Sequence, residues 1–344
     1  MQGAADFATL ADPYRQELLA YCYRMLGSVD DAEDQVQETL LRAWRSYGEF
    51  EGRSSLRTWL YRIATNTCLR ALETRGKRPL PSGLGGPAED PEGPLAALLT
   101  DAPWLQPFPD ALVSGGKDDP ATVVAMRASM RLALVAALQF LPGRQRAVLI
   151  LRDVLGWHAA EVAELLDVSP TSVNSLLQRA RGQLARRGLA EDEIREPADL
   201  SDRTLLDRFA AAFESADVAA LTELLRADAE LEMPPQPYWF AGRDLVIRFL
   251  RSRVLTVPGR FLLVPTSANF QPAFVAYVRQ DDGSYRSHGV QVLTLDGHRV
   301  GRIVSFNDAN LTTRFGFPAE ISAASAAAGG AAVPGVQSSA LRRP

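Results

Sequence analysis

Proline and glycine are concentrated in one internal stretch, and this stretch limits the chain to a multi-domain fold. Residues 76–120 contain the runs RPLPSGLGGPAEDPEGP and PWLQPFPD, whereas the segments on either side have helical periodicity. A regular helix cannot run through such a sequence, because proline lacks an amide hydrogen and glycine favours turns. The stretch therefore predicts a linker between two helical domains, and the length of 344 residues leaves room for a third domain.

Composition excludes several classes of protein. An apolar content of 47% is sufficient for real hydrophobic cores, and a net charge of −4 is compatible with a basic domain whose charge is masked by acidic ones. Two cysteines, Cys22 and Cys68, lie in apolar helical contexts and predict buried thiols in a reducing cytosol. Three scattered histidines give no metal-ligand spacing, so neither a metal nor a cofactor is expected. The sequence has no long uncharged apolar run, which predicts a cytoplasmic protein without a membrane anchor.

The stretch SPTSVNSLLQRARG, beginning at Ser169, predicts a helix with two different faces. Ser169 is a helix cap, and Pro170 fits the first helical position. Apolar residues recur with helical spacing at Val173, Leu176, Leu177, Ala180 and Leu184. The other face has no acid and carries Asn174, Ser175, Gln178, Arg179 and Arg181. These side chains are typical of contacts with base edges and phosphates, and a shorter helix in GWHAAEVAELLDVS precedes them, so the segment predicts a helix-turn-helix rather than a plain helical bundle.

An acidic helix is predicted near the N-terminus in SVDDAEDQVQETLLRAWRSY. Ser28 and Asp31 have the spacing of a capping box, and an apolar stripe follows from Ala32 to Trp44. The outer face carries Asp30, Asp31, Glu33, Asp34, Gln37 and Glu38. Such a face is either simply solvated or a docking surface for a basic partner.

The next helix, in FEGRSSLRTWLYRIATNTCLRALETRGKR, combines aromatic and cationic residues outside its core stripe. We expect Tyr61, Arg62 and Thr65 to point away from the core, Asn66 to lie at its border and Trp59 to be part of it. Rings that stack on bases and cations that bind the backbone are typical of surfaces for single-stranded nucleic acid.

The C-terminal third predicts an α+β unit. Two amphipathic helices over residues 200–235 precede alternating strands joined by the turns DDGS and DGH, which favours a curved barrel with a pocket at its mouth. Tyr238, Trp239 and Phe240 either line such a pocket or close a core. The candidate acid/base residues are His288, Asp308 and Asp228, and no spacing ties them together, so we expect no catalysis.

The segments DAEDQVQETLLRAW and WLYRIATN, followed by LPGRQRAVLILRDVLGW and SVNSLLQRARGQL, resemble the bacterial sigma-70 family. Within it they are most similar to the extracytoplasmic-function (ECF) group, in particular the sigma G and sigma J type with a fused SnoaL-like domain. The resemblance implies two all-α domains followed by an α+β SnoaL-like cone-shaped barrel. The implied ranges are 6–76 for region 2, 77–121 for the linker, 122–190 for the region 4 helix-turn-helix, 200–318 for a SnoaL-like regulatory domain and 319–344 for a disordered tail.

The resemblance also implies partners and residue roles. The partners are core RNA polymerase, through its β′ clamp helices and β flap, and promoter DNA. Whether the C-terminal domain also binds an unknown small ligand stays open. The six residues of the acidic face match the polymerase-binding positions. Residues implied in recognition of the −10 element are Arg53, Ser54, Ser55, Tyr61, Arg62 and Asn66. Those implied at the −35 element are Asn174, Ser175, Gln178 and Arg179.

Three points depart from the family or stay open. Many members have basic residues where this chain has Asn174 and Leu176, and serine where it has His158, a weaker cap. The C-terminal domain is expected to modulate activity by contacting region 2 or the linker, with Trp104 as the anchor. The alternatives are a ligand-responsive helix-turn-helix regulator and a SnoaL-type enzyme fused to a DNA-binding module.

Overall fold

The structure, a computed structural model, describes residues 2–52, 54–99, 101–113, 127–186 and 200–327. Contacts divide the chain into two compact units. The first contains Met1–Pro79 and Asp110–Arg195, and the second contains Leu80–Pro109 and Glu196–Pro344. The two predicted all-α domains therefore share the first unit.

The N-terminal half of the first unit is a helical bundle. Its helices are α1 (Gln2–Ala11), α2 (Arg15–Leu26), α3 (Val29–Ser46) and α4 (Leu56–Thr74). Gly27 ends α2 in a left-handed conformation with φ 69°, which glycine adopts without steric cost. Ser28 then caps α3, as predicted, because its hydroxyl accepts a hydrogen bond of 3.2 Å from the amide of Asp31. Ser55 caps α4 in the same way through the amide of Thr58.

The C-terminal half of the first unit ends in the predicted helix-turn-helix. Its elements are α5 (Leu132–Leu138), α6 (Gly143–Leu149) with a π-helical turn over Ile150–Val154, α7 (Ala159–Leu166) and α8 (Pro170–Ala185). The Ser169 hydroxyl accepts from the amide of Ser172 at 3.1 Å, and Pro170 is the first residue of α8, as predicted. His158 precedes α7, where its amide donates to Glu161 at 2.7 Å, so the carboxylate supplies the cap contact.

The second unit is α+β, which confirms the predicted fold class. Helices α9 (Leu200–Glu214) and α10 (Val218–Leu224) come first, and α11 (Arg243–Phe249), α12 (Asn310–Arg314) and α13 (Ala323–Ala327) follow later. The strands are β1 (Leu225–Glu232), β2 (Trp239–Ala241), β3 (Phe261–Ala268), β4 (Gln271–Arg279), β5 (Tyr285–Asp296), β6 (Arg299–Phe306) and β7 (Glu320–Ile321). They form one sheet in the order β2-β1-β6-β5-β4-β3, with β7 beside β5. One face of the sheet packs on the helices through an apolar cluster that includes Phe209, Phe240 and Phe274.

The proline- and glycine-rich segment packs onto the second unit, which corrects its interpretation as an unpacked spacer. The backbone of Phe108 and the residue Asn269 exchange two hydrogen bonds of 2.9 Å, one of them through the Asn269 side chain. The amide of Ser82 donates to the buried carboxylate of Glu232 at 2.8 Å. The indole of Trp239 donates to the carbonyl of Gly85. The proline and glycine content predicts the lack of regular structure in this segment, but it does not predict that the segment packs on the second unit.

The role of Trp104 as an anchor stays a prediction. Its ring is half-buried and its indole N–H donates to the carbonyl of Leu99 within the same segment, whereas Leu105 and Phe108 are buried. The predicted tail is also partly structured, since Glu320 and Ile321 pair with β5. The rest of the predicted tail beyond residue 327 lies outside the described residues.

Candidate nucleic-acid interface

Helix α8 presents the polar face that the sequence predicts for base recognition. Asn174, Gln178 and Arg179 are exposed, and Ser175 is half-buried beside them. The opposite face of α8 is anchored by the buried side chains of Val173, Leu177 and Ala180. Ser175, Gln178 and Arg179 border an open surface depression of about 530 Å³ that also includes Gly182, Gln183 and Arg186. A polar, acid-free surface of this kind can donate and accept hydrogen bonds along a DNA groove.

Two polar residues of α8 have structural roles. Arg181 forms a bidentate ion pair with Asp153, with N–O distances of 2.7 and 2.9 Å. The Gln183 amide donates to Gln145 at 3.1 Å. Both contacts fix α8 against the preceding helices, so Arg181 is not a freely oriented DNA ligand as its sequence position suggests.

Helix α4 exposes Asn66 but buries two of the residues predicted around it. The Tyr61 ring is fully buried, with ring centroids 5.1 Å from Tyr21 and 5.2 Å from Trp157. Thr65 is also fully buried and bonds to the Tyr21 hydroxyl at 2.7 Å. The expectation that Tyr61 and Thr65 point outward is therefore wrong for this structure. The periodicity of α4 alone gives no sign that Trp157 covers Tyr61.

Residues of the helix-turn-helix half contact two of the −10 candidates on α4. Arg62 forms an ion pair of 2.9 Å with Glu164 on α7. The Arg57 guanidinium lies 5.2 Å from the centre of the Tyr61 ring and 5.8 Å from that of Trp157. Two of the side chains implied in −10 recognition, Tyr61 and Arg62, are therefore engaged by residues from the helix-turn-helix half of the same unit.

Two buried arginines lie in the same unit. The Arg146 guanidinium donates to the carbonyl of Met25 on α2, to the Gln139 carbonyl at 3.0 Å and to the Leu141 carbonyl at 3.1 Å. Arg24 is 1% exposed, and its Nε has no hydrogen-bond partner among the described residues. Burial lowers the pKa of each guanidinium to about 10. Carbonyl groups rather than a carboxylate therefore compensate the buried charge of Arg146.

The loop before α4 is described in part. Ser55 is exposed, and its hydroxyl accepts from the Thr58 amide at 3.0 Å as the helix cap, while Ser54 is half-buried. Arg53 lies outside the described residues. Ser55 therefore has a structural role that is independent of any contact with DNA.

The acidic face of α3 is smaller than the sequence suggests. Asp34 and Gln37 are exposed, and Glu38 pairs with Arg42 at 2.5 Å. Asp30 and Glu33 are half-buried, and partial burial raises the pKa of the Glu33 carboxyl, with a further contribution from Asp34.

Asp31 corrects the prediction of a docking role. Its carboxylate is buried and forms ion pairs with Arg75 and Arg78, so it joins the start of α3 to the chain after α4. These two ion pairs are structural, because the Asp31 side chain is only 10% exposed and offers little surface to another protein.

Two apolar residues on the exposed face of α3 escaped the sequence analysis. Trp44 is 50% exposed and Leu41 is 40% exposed, although the periodicity predicts Trp44 in the core stripe. The actual stripe ends at Ala43, which is fully buried. They lie about two to three turns after Asp34, so the exposed side of α3 is acidic first and apolar later. Such exposed apolar groups mark contact surfaces.

The C-terminal acid/base candidates each have an interaction partner of their own. Asp228 pairs with Arg226, and Asp308 accepts from the amide of Asn310. His288 bonds instead to Asn307. Among the described residues, no three histidine, cysteine or acidic side chains form a group that could hold a metal ion. Nor does any described helix combine the length and apolar character that crossing a membrane requires.

Comparison with known proteins decides the family. The Sigma-70 region 2 model matches residues 10–78, and the Sigma-70, region 4 model matches residues 131–184. The chain is 50% identical over 315 residues to the ECF RNA polymerase sigma factor SigG of Mycobacterium tuberculosis, covering 91% of this chain and 84% of that protein. The chain belongs to the ECF sigma factors.

Further relatives agree with this assignment over the C-terminal unit. The sigma factor is 28% identical to SigJ of M. tuberculosis over 255 residues, covering 72% of this chain and 73% of SigJ. The crystal structure of M. tuberculosis SigJ matches with a TM-score of 0.55 and 25% identity, covering 87% of this chain and 95% of that one. A match that extends through both sigma regions and the α+β unit favours a sigma factor over the two alternative functions considered above.

Proposed function

We propose that this sigma factor binds core RNA polymerase in the cytoplasm, selects promoters through −35 and −10 elements and helps to open the DNA. The observation that carries the proposal is the pair of polar surfaces on α8 and α4, each built on a helix that is held by a buried opposite face. Polymerase supplies the chemistry, and the chain itself is not an enzyme. On α8, Asn174, Ser175, Gln178 and Arg179 read the −35 element, and on α4, Arg62 and Asn66 act at the −10 element with help from the loop residues 53–55.

Docking on the polymerase β′ clamp helices is assigned to the exposed side of α3. Asp34, Gln37 and Glu38 supply its polar part, and Leu41 and Trp44 supply an apolar part. The charged residues steer the encounter with a basic partner, while the indole ring buries apolar area on contact. From the family resemblance we also expect a contact with the polymerase β flap, and we assign it to the helix-turn-helix half.

Reversing charge on this surface is expected to weaken association with core polymerase. The double change Asp34→Lys with Glu38→Lys inverts the sign of the polar part without touching a buried side chain, and should reduce the affinity at least about tenfold, as close charge pairs contribute roughly 1.5 kcal/mol or more. Association is measured by fluorescence anisotropy of labelled protein titrated with core enzyme.

A matched control separates docking from folding. Glu73 is an exposed acid at the end of α4, outside the α3 surface, and Glu73→Lys should leave affinity unchanged. Equal affinity for the double variant and the wild type, with the same circular dichroism, would show that this face does not dock.

The structure represents a closed form of the sigma factor in this proposal. Arg62 is engaged by Glu164 and Tyr61 by Trp157, so these two side chains become accessible to DNA only after regions 2 and 4 separate, whereas Asn66 is already exposed. Exposed ion pairs contribute about 1 kcal/mol or less, so the closed form is a restraint that polymerase binding can overcome.

The C-terminal unit is proposed to regulate this opening through the linker. The segment Leu80–Pro109 joins region 2 to region 4 and is docked on the α+β unit. A docked segment cannot extend, whereas a free chain of the same length spans up to about 3.3–3.6 Å per residue. Docking therefore shortens the reach between regions 2 and 4 and favours the closed form.

Removing one hydrogen bond that holds the linker on the C-terminal unit is expected to raise transcription. Asn269 and Phe270 have φ values of 55° and 53°, so Asn269→Gly keeps the tight turn while it removes the side-chain acceptor of the Phe108 amide. Loss of this bond should accelerate hydrogen exchange at Phe108 about tenfold, in line with about 1.4 kcal/mol. Unchanged exchange, or faster exchange without a rise in transcription, would contradict the proposed control by the linker.

A further inference from the structure

The end of α11 carries a concentrated positive charge. The helix continues as a π-helical turn over Leu250–Val254, and residues 243–260 contain five arginines and one acid in a chain whose net charge is −4. Three of these arginines are exposed and close together in the sequence: Arg248, Arg251 and Arg253. A local excess of cations on a surface attracts anions even when the protein as a whole is acidic.

The acidic part of the linker already lies on this surface. The Arg248 guanidinium is 3.6 Å from the carboxylate of Glu92 and 4.0 Å from that of Asp90. Arg253 donates to the carbonyls of Glu92 and Gly93 at 2.7 and 2.8 Å. Because Arg248 and Arg253 contact the same short segment of the linker, their side chains form one surface. The two carboxylates show where anionic groups lie on it.

The contacts of the two carboxylates are weak enough for another polyanion to displace them. The exposed fraction of the side chain is 44% for Arg248, 68% for Asp90 and 49% for Glu92. Ion pairs in water contribute little to stability, and salt screens them further. Arg251 is exposed and is not part of these contacts, so it is accessible while the linker is in place.

The chemistry of the surface favours duplex nucleic acid over unpaired strands. The only aromatic residue within 243–260 is Phe249, and it is buried. The surface therefore offers charge without the exposed rings that stack on unpaired bases. Guanidinium groups of this kind bind backbone phosphates and do so without regard to base sequence.

The position of this unit in the chain makes DNA the relevant duplex. Residues 186–199 join α8 to α9, and at up to about 3.3–3.6 Å per residue they allow a reach of roughly 50 Å. Phosphates near DNA that is bound by α8 are therefore at a high effective concentration for the arginines, so even a weak contact adds to the affinity.

We propose that Arg248, Arg251 and Arg253 form a second DNA-binding surface that contacts the phosphate backbone of duplex DNA, and that linker residues 90–93 compete with the DNA for it. This surface goes beyond promoter selection by α8 and α4, because it adds affinity without sequence preference; it rests on the proposed function only for the tether through α8. DNA that displaces the two carboxylates also frees this part of the linker from the α+β unit.

The salt dependence of binding to a random-sequence DNA duplex tests the surface in the full chain. Arg251→Gln should reduce the slope of log K against log salt concentration by about 0.9, and the triple change that adds Arg248→Gln and Arg253→Gln should reduce it by up to about three times as much. Arg299→Gln is the matched control, because Arg299 is exposed but lies opposite Asp296 in the β5–β6 hairpin. A wild-type slope for either variant, or an equal loss in the control, would overturn the proposal.

Neutralising the linker tests the competition. Asp90→Asn with Glu92→Gln removes both carboxylates and should raise affinity for the duplex. The gain should be about threefold larger in the wild-type background than in the triple arginine variant, a factor in the range of exposed ion pairs. Equal gains in the two backgrounds would show that the carboxylates repel DNA from a distance, and would overturn the competition.

Two further comparisons keep this surface separate from the reading of the −35 element. Equal affinity for promoter and random duplexes would contradict base reading by α8, whereas the slopes on the random duplex decide about the arginines alone. A loss of slope that occurs with single-stranded RNA of the same length and not with duplex DNA would identify RNA as the partner and overturn the proposal.

Discussion

Asn66→Ala is expected to leave association with core polymerase intact and to reduce promoter opening by about tenfold or more, because a specific base contact contributes roughly 1–3 kcal/mol. Asn66 is exposed on α4, one turn after the ion-paired Arg62, and its carboxamide is free to pair with the edge of an unstacked base. Permanganate reactivity of unpaired thymines, followed over time after mixing with holoenzyme, measures the opening directly.

An abasic substitution identifies the base that Asn66 contacts. At each −10 position in turn, the base on the non-template strand is removed and the opening rates of wild type and Asn66→Ala are compared. At the contacted position the two proteins should open the template equally, because the interaction is already lost. If Asn66→Ala opens intact promoters as the wild type does, or if its defect persists at every abasic position, the residue has no base-specific role.

Linking regions 2 and 4 covalently is expected to abolish transcription. Arg62 and Glu164 approach within 2.9 Å in the closed form, and Arg62→Cys with Glu164→Cys places two thiols where a short bismaleimide can join them. The native Cys22 and Cys68 are fully buried and should react slowly. Cross-linked protein cannot expose Tyr61 or separate regions 2 and 4 across the promoter, so transcription should fall to the level of core enzyme alone.

The control for this experiment is the same double variant with each thiol capped by N-ethylmaleimide. Like the cross-linked protein, it lacks the Arg62 and Glu164 side chains, but its regions 2 and 4 can still separate. Its activity is therefore the reference for the cross-linked form. Efficient cross-linking also reports that the closed form exists in solution. Activity of the cross-linked protein equal to that of the capped control would show that regions 2 and 4 need not separate.

Local features of the fold follow well from the sequence. The caps at Ser28 and Ser169, the first-turn Pro170 and the buried face of α8 each depend on residues within a few positions of one another. Such short-range rules give element types and helix starts. The same reasoning gives the exposed side chains of Asn174, Gln178 and Arg179, because their helix has one clear apolar face.

Features that depend on distant residues were not predictable from periodicity. Tyr61 occupies a position that looks solvent-facing on α4, and it is buried because Trp157 packs on it from almost a hundred residues away. Asp31 looks like one of several surface acids and is instead held by two arginines beyond the next helix. Proline content likewise predicts an irregular backbone at Phe108. It does not predict the hydrogen bond from Phe108 to Asn269, because Asn269 is placed by the distant turn between β3 and β4.

Transcription by the purified chain with core RNA polymerase tests the central claim most directly. Run-off reactions on fragmented genomic DNA, followed by sequencing of RNA 5′ ends, should give discrete start sites that need both proteins and that share two upstream motifs with one common spacing. Start sites independent of the chain, or a chain that binds specific DNA tightly without core polymerase and yields no discrete transcripts, would contradict its action as a sigma factor.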